Sequence, residues 1–322
     1  MTDTSVPLLA AFGETMLRYT PTGDRRLETS EEFAVHVGGA ESNVAAAAAR
    51  LGLESAWLSR LPDTRLGRRI AATLRRHGVE PCVDWTDGGR MGTYYLEPGG
   101  KSRTASVTYD RAGTPIREAT PADLATDRVA AADALHTTGI TPALSETLAD
   151  TTAELLELAG HNGTTRVFDV NYRGKLWAPA AARETLSGLL DAVDVLVVAD
   201  RDAATVFDAD GDSEVVARRF ASTHDIDLVI VTEGAAGATA LSGGEVHAQP
   251  TFEATDRYPV GTGDAFVGGF LASYLRGEDL DRALSVGAAT AALKREIPGD
   301  IATVDPADVR ALLDADTRDI SR

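Results

Sequence analysis

The stretch Pro259-Val260-Gly261-Thr262-Gly263-Asp264-Ala265-Phe266 sets two glycines and a carboxylate ahead of an apolar, small-residue run. Residues from Asp264 to Tyr274 read as a buried helix. Glycines let consecutive backbone N–H groups turn into one concavity, and the start of the following helix adds partial positive charge there. Such a place holds a phosphate, or the charge on a phosphoryl group in transfer. Asp264, in the first helical turn, is positioned to take a proton from an alcohol. The same residues also describe an ordinary helix start, so the rest of the chain must discriminate. A second glycine pair, Gly38-Gly39, leads through Ala40-Glu41-Ser42-Asn43 into an alanine-rich helix ended by Gly52. It permits close approach to a ligand, and Asn43 offers both a donor and an acceptor to hydroxyl groups. A tight turn with a helix cap is the alternative.

The elements that must carry these residues follow an α/β rhythm. Leu8–Phe12 is a short apolar strand ended by Gly13-Glu14. Residues 17–37 turn polar and hairpin-like, with Phe33, Val35 and Val37 alternating. After a strand at Ala56–Leu61 and an Arg-rich amphipathic helix at Thr64–His77, a second β-rich excursion runs from Val83 to about Tyr109. Its two strands, Met91–Glu97 and Arg103–Tyr109, are joined by Pro98-Gly99-Gly100. The two excursions predict a small separate sheet, a lid over a site, formed by residues 14–37 and 84–113. The α/β body is then 1–13, 38–83 and 114–322, one domain in all.

From residue 121, helices are expected near Pro121–Ala132, Pro142–Ala159, Pro179–Leu190, Ala203–Phe207 and Ser213–Ser222. Apolar strands fall at Ala134–Thr138, Arg166–Val170, Val193–Val198 and Leu228–Thr232. This predicts a mainly parallel sheet covered on both faces, with ligands beyond the carboxyl ends of its strands. Gly13, Gly139, Asn171 with Arg173, Asp200 and Thr232-Glu233-Gly234 stand at those ends. Amphipathic helices at Asp279–Lys294 and Asp305–Ala315 close the domain, leaving Asp316–Arg322 as a tail.

The chain has 322 residues with 31 basic and 49 acidic side chains, a formal net charge of −18. That surface repels nucleic-acid phosphates and anionic lipid, which excludes polynucleotide and membrane partners. Its only lysines are Lys101, Lys175 and Lys294. A surface so acidic and lysine-poor resembles that of proteins from salt-loving archaea. The lone Cys82 excludes an internal disulfide and suits a reducing compartment. Thr2-Asp3-Thr4 lacks the charge of a secretion signal and no segment is long enough to span a bilayer, so a cytoplasmic location is expected. No Gly-x-Gly-x-x-Gly follows the first strand, which argues against a dinucleotide oxidoreductase.

Gly38-Gly39-Ala40-Glu41-Ser42-Asn43-Val44-Ala45 resembles the N-terminal sugar-binding motif of the ribokinase-like (PfkB) carbohydrate kinases, and Gly261-Thr262-Gly263-Asp264-Ala265-Phe266 resembles their C-terminal motif. The resemblance extends over essentially the whole chain and implies a three-layer α/β/α sandwich with a small discontinuous β-sheet lid. Within the family, Asp169–Trp177 and Ala292–Asp300 are similar to segments of the 2-keto-3-deoxygluconate kinases. The implied reaction is ATP-dependent phosphorylation of 2-keto-3-deoxy-D-gluconate, or its galactonate epimer, to the 6-phosphate. Asp264 would be the base, with Gly261, Thr262 and Gly263 beside it in the anion hole. Gly38, Gly39 and Asn43 would meet sugar hydroxyls, Tyr94 and Tyr109 would wall the pocket, and Asp300 would be a late site carboxylate. Arg111 and Arg173 would grip the acid end, since a planar guanidinium holds a carboxylate by two parallel bonds. Asp200, Thr232, Gly234 and Gly237, with Gly261 and Gly263, would bind the nucleotide. ATP and Mg2+ are implied, and a monovalent cation is left open. Asp200-Arg201-Asp202-Ala203 departs from the family's Asn-x-x-Glu, and no residue is assigned as a metal ligand. The resemblance also implies a homo-oligomer formed through the lid. A kinase of a neutral sugar, of fructokinase or ribokinase type, and a non-catalytic sugar-binding protein are the alternatives.

Overall fold

The computed structural model describes residues 6–23, 25–100 and 103–320. The chain opens with β1 (Leu8–Phe12), β2 (Met16–Pro21) and β3 (Phe33–Gly38), then α1 (Ala40–Arg50), β4 (Glu54–Pro62), α2 (Arg65–Arg76) and β5 (Val79–Thr86). After β6 (Thr93–Glu97) and β7 (Ser106–Asp110), α3 (Thr126–Ala130) leads to β8 (Ala134–Thr138), α4 (Glu146–His161) and β9 (Thr165–Asp169). Then come α5 (Pro179–Leu190), β10 (Val195–Ala199), α6 (Asp200–Phe207), α7 (Ser213–His224) and β11 (Leu228–Thr232). The hairpin β12 (Ala238–Ser242) and β13 (Glu245–Gln249) precedes α8 (Thr262–Tyr274), α9 (Leu280–Lys294) and α10 (Pro306–Ile320).

The large sheet has the order β13-β12-β11-β10-β9-β8-β1-β4-β5, parallel from β11 to β5 and antiparallel in the β12–β13 hairpin. Its inner strands β1, β10 and β11 are almost wholly apolar because both faces are covered. Ala10, Phe12, Leu196, Val198, Val229 and Val231 point into the core under α3 to α7. Their neighbours Leu9, Val195, Val197, Leu228 and Ile230 point into a second core under α1, α8 and α9. The chain departs from β1 in both directions along the sheet, so the crevice between β1 and β8 lies at a topological switch point.

The second sheet, β3-β2-β6-β7, is the expected lid, built from both excursions. Tyr19 stacks on Tyr95 with centroids 5.5 Å apart, and Phe33 meets both edge-on at 6.4 Å.

Several boundaries differ from expectation. The lid does not begin at residue 84: Val83–Thr86 continue β5, paired with Ser59–Pro62 of β4. Pro81 does not interrupt β5, because this is an edge strand, where a missing N–H is tolerated. The helix expected over Pro121–Ala132 is a single 3-10 turn followed by the short α3, because Thr120 and Asp123 form a capping box that Leu124, in extended backbone, promptly ends. The β12–β13 hairpin was unanticipated; its signal is Gly243-Gly244 between alternating segments. Helix α8 starts at Thr262, two residues before Asp264, and α10 takes in most of the expected tail, Ser321 and Arg322 lying outside the described residues. Among the described residues no helix is long and apolar enough to cross a membrane.

Helices α1 and α8 approach so closely that a Cβ at Gly268 would lie 2.6 Å from the Ala47 Cβ and 2.7 Å from the Val44 carbonyl oxygen. Gly268→Ala should therefore cost about 1–3 kcal/mol by overpacking. A Cβ at Gly188, on α5, would meet nothing within 4 Å, so Gly188→Ala is the matched control. Thermal unfolding of the two variants should show a lowered midpoint for the first and none for the second.

Candidate active site

A cavity of about 360 Å³ opens beyond the carboxyl ends of β1, β8, β9 and β10, between the large sheet and the lid. Asp264 is at its base, on the first turn of α8. Gly261 caps that helix in the left-handed region (φ 85°), and a Cβ there would sit 2.1 Å from the Asp300 carbonyl oxygen, so the turn admits only glycine. Thr262 N and Oγ1 both donate to the Pro259 carbonyl, at 3.2 and 2.8 Å. The N–H groups of Gly263 and Asp264 have no acceptor among the described residues and stand open at the helix start.

The N-termini of α1 and α8 meet here. Asn43 Nδ2 donates to Asp264 Oδ2 at 2.7 Å, while the buried Asn43 Oδ1 has no donor among the described residues. Burial pushes the Asp264 carboxyl up to about 6, opposed by the Asn43 bond and by Arg173. Two further carboxylates line the cavity, Glu41 buried and Asp169 half-buried. Glu41, in a hollow that a Cβ at Gly13 would fill, accepts from Thr138 at 2.7 Å and Thr141 at 2.8 Å, yet burial raises it to about 7. Asp169, at the end of β9, is raised to about 7 by burial and by Asp264 and Asp202, although Asn171 N and Nδ2 donate to it.

The lid supplies the facing wall. Tyr94 donates from its hydroxyl to Asp300 Oδ1 at 2.6 Å, and Arg18 pairs with Asp300 Oδ2 at 3.0 Å, all three buried. Gly38 leaves room for this cluster, since a Cβ there would lie 2.7 Å from both the Tyr94 hydroxyl and the Asp300 carboxyl. Gly39 packs on the Glu14 carbonyl. Tyr109 stands 6.0 Å from Tyr94, and the Arg111 guanidinium lies 5.3 Å over its ring.

All the residues expected to meet the sugar or the transferred group therefore line one cavity, including Gly38, Gly39, Tyr109, Arg111, Arg173 and Asp300. The two arginines are not equivalent. Arg111 is buried and engaged by Glu14, which also accepts from Thr114 Oγ1 at 2.8 Å. Arg173 is exposed and makes no ion pair with any described residue. Glu14, Arg18, Glu41 and Asp169 had no role in the sequence reading. Glu14 and Asp169 stand at strand ends and were findable there, whereas Arg18 had no signal on its lid strand.

A second cavity, about 250 Å³, adjoins the first across Thr232, Thr262 and Gly263. Asp200, Gly234 and Gly237 line it, with Phe252, Phe266 and alanines of α9 forming an apolar wall. Of the expected nucleotide residues, Thr232 and Gly263 face both cavities, while Gly261 faces only the first. Asp202 accepts from Tyr172 N at 3.2 Å. No group of three or more metal-ligating side chains gathers among the described residues.

Comparison with known proteins agrees with this geometry. The model of the pfkB family of carbohydrate kinases matches residues 6–307. The chain is 51% identical over 305 residues, 95% of its length and 96% of the relative's, to the 2-dehydro-3-deoxygalactonokinase of Haloferax volcanii. It is 32% identical to the 2-dehydro-3-deoxygluconokinase of Thermoproteus tenax, over 91% of this chain and 89% of that one. The crystal structure of the Thermotoga maritima 2-dehydro-3-deoxygluconokinase superposes with a TM-score of 0.90 at 30% identity, covering 96% and 99% of the two chains. The chain belongs to the pfkB family of carbohydrate kinases.

With Asp264 in the role of base expected from the sequence, it must be ionised to work, so kcat/KM for phosphorylation should rise as pH passes through about 6, the value to which it is lifted. The Asn43 bond favours the charged carboxylate, so Asn43→Ala should move that limb to higher pH. A pH–rate profile of the two proteins checks the displacement; an unmoved limb would detach it from Asp264.

Proposed function

We propose that this kinase transfers a phosphoryl group from ATP to the primary alcohol of a 2-keto-3-deoxy sugar acid, the gluconate or galactonate epimer, giving the 6-phosphate. The observation that carries this is Arg173: an exposed guanidinium that makes no ion pair with any described residue, lining the same cavity as Asp264. A neutral sugar needs no such group, whereas a carboxylate takes its two parallel charge-assisted bonds. The names of the Haloferax and Thermoproteus relatives, both kinases of such acids, support the same substrate class.

In this mechanism Arg173 orients the acid, helped by Arg111 held on Glu14, while Tyr94 and Tyr109 exclude water from the lid side. Asn43 Oδ1 accepts from a substrate hydroxyl, and its amide holds Asp264 in line. Asp264 takes the proton of the attacking alcohol. The free amides of Gly263 and Asp264, in the turn shaped by Gly261 and Thr262, stabilise the charge on the transferring group. The nucleotide lies in the adjoining cavity, its apolar wall suiting a base and Thr232, Gly234 and Gly237 suiting its ribose and phosphates. Asp200 or Asp202 would hold magnesium through water, since that ion keeps several of its own, and it would supply neutralisation of the phosphate charge. The half-buried Tyr19–Phe33–Tyr95 cluster on the lid is the surface that fits a second copy of the chain.

A coupled assay at high salt with 2-keto-3-deoxygluconate, its galactonate epimer, fructose and ribose tests the proposal. Sugar acids should be turned over and neutral sugars poorly; the reverse ranking would make this a neutral-sugar kinase. Asp264→Asn should lower kcat by on the order of 10²–10⁴. Arg173→Leu should lower kcat/KM for the acid by on the order of 10²-fold, with little change for any neutral sugar.

A further inference from the structure

Lys294 closes α9 and is among the largest side chains with no exposed surface. Burial pushes its amine down to about 8, with Asp300 the foremost opposing influence and Asp264 adding to it. An apolar side chain would fill the space more cheaply, so the retained charge calls for a reason. Lys294 forms no ion pair with any described residue; its Nζ donates instead to two backbone carbonyls, Tyr258 at 3.2 Å and Ile297 at 3.0 Å.

Those carbonyls belong to the two loops that flank the reaction centre. Tyr258 precedes Pro259, whose carbonyl receives Thr262 at the start of α8. Ile297 opens the turn to Asp300, the carboxylate that holds Arg18 and Tyr94 of the lid. The loops touch where Gly261 meets the Asp300 carbonyl, and Tyr258 N donates to Arg295 O at 2.7 Å just beyond Lys294. Two carbonyl dipoles aimed at one buried point repel each other unless a cation stands between them.

We propose that Lys294 is a positioning residue whose ammonium acts as a fixed internal monovalent cation, clamping the 258–261 strap to the 297–300 turn so that the Gly263 and Asp264 amides stay aimed at the transferring phosphoryl group. This rests on the role given above to those amides. The clamp does not touch substrate, so its effect falls on turnover rather than on sugar binding. Lys294→Ala opens a small hollow lined by the same two carbonyls near the Asp300 carboxylate, a setting that accepts a free ammonium ion.

The test compares native protein, Lys294→Ala and Lys294→Met in the sugar-acid kinase assay, with ammonium chloride titrated against sodium chloride at equal ionic strength. A misplacement of about 1 Å costs on the order of 10²-fold, so both variants should lose kcat by that order while KM for the sugar acid stays within about threefold. Ammonium should restore Lys294→Ala saturably, by at least about tenfold, and leave the native and Met proteins unchanged. If the Ala variant does not melt cooperatively, the Met variant, which fills the space without charge, decides through its kcat. Near-native kcat in a folded variant, or a folded Ala variant that ammonium does not activate, overturns the clamp. Native turnover and the Asp264→Asn result, read in the same assay, show separately whether the phosphoryl-transfer assignment stands.

Discussion

The close packing of α1 against α8 is the constraint on which the rest of the site depends. Two helices lined by alanine and glycine approach until only Gly268 fits beneath Ala47 and Val44, and their N-termini then point at one spot. That brings Asn43 to Asp264 across 221 residues of chain. Because both helices end their first turns at the sheet's switch point, a donor, a carboxylate and free amides converge without any flexible segment being asked to hold them. The small residues that look unremarkable in composition are what make the convergence possible.

The second determinant is electrostatic. The cavity gathers Glu14, Glu41, Asp169, Asp202, Asp264 and Asp300, six carboxylates that would repel one another strongly if all were ionised. The structure relieves this by division of labour. Asp300 is spent on Arg18 and Tyr94, and Glu14 on Arg111 and Thr114. Glu41 and Asp169 are lifted to about 7, leaving them partly protonated near neutrality. Asp264 is lifted to about 6, with the Asn43 bond and Arg173 holding it back against burial.

Much of this was legible in the sequence because it is written in local patterns. Glycine pairs ahead of helices, apolar strand runs and the two β-rich excursions are short-range signals, and the resemblance tied them to one architecture. What escaped was what depends on long-range pairing. Nothing in Met16–Pro21 marks Arg18 as the partner of Asp300, since a lid strand with one arginine reads as solvent-facing. Arg111 and Arg173 looked alike as residues, and only the Glu14 pairing separates a neutralised guanidinium from a free one. The lid boundary at residue 84 slipped for a related reason: that Val83–Thr86 extend β5 shows only in their pairing with β4, which sequence order does not state.

The exposed guanidinium groups of Arg173 and Arg201 at the cavity mouth have a kinetic meaning on a chain of net charge −18. The proposed substrates, a nucleotide and a sugar acid, would both approach as anions, so at a distance the molecule would repel them, and only within roughly 8–10 Å, a Debye length at moderate salt, would the two arginines take over. Dissolved ions erase the distant repulsion sooner than the near attraction. Encounter therefore quickens as ionic strength rises, opposite to the behaviour of enzymes that draw substrates in by bulk charge.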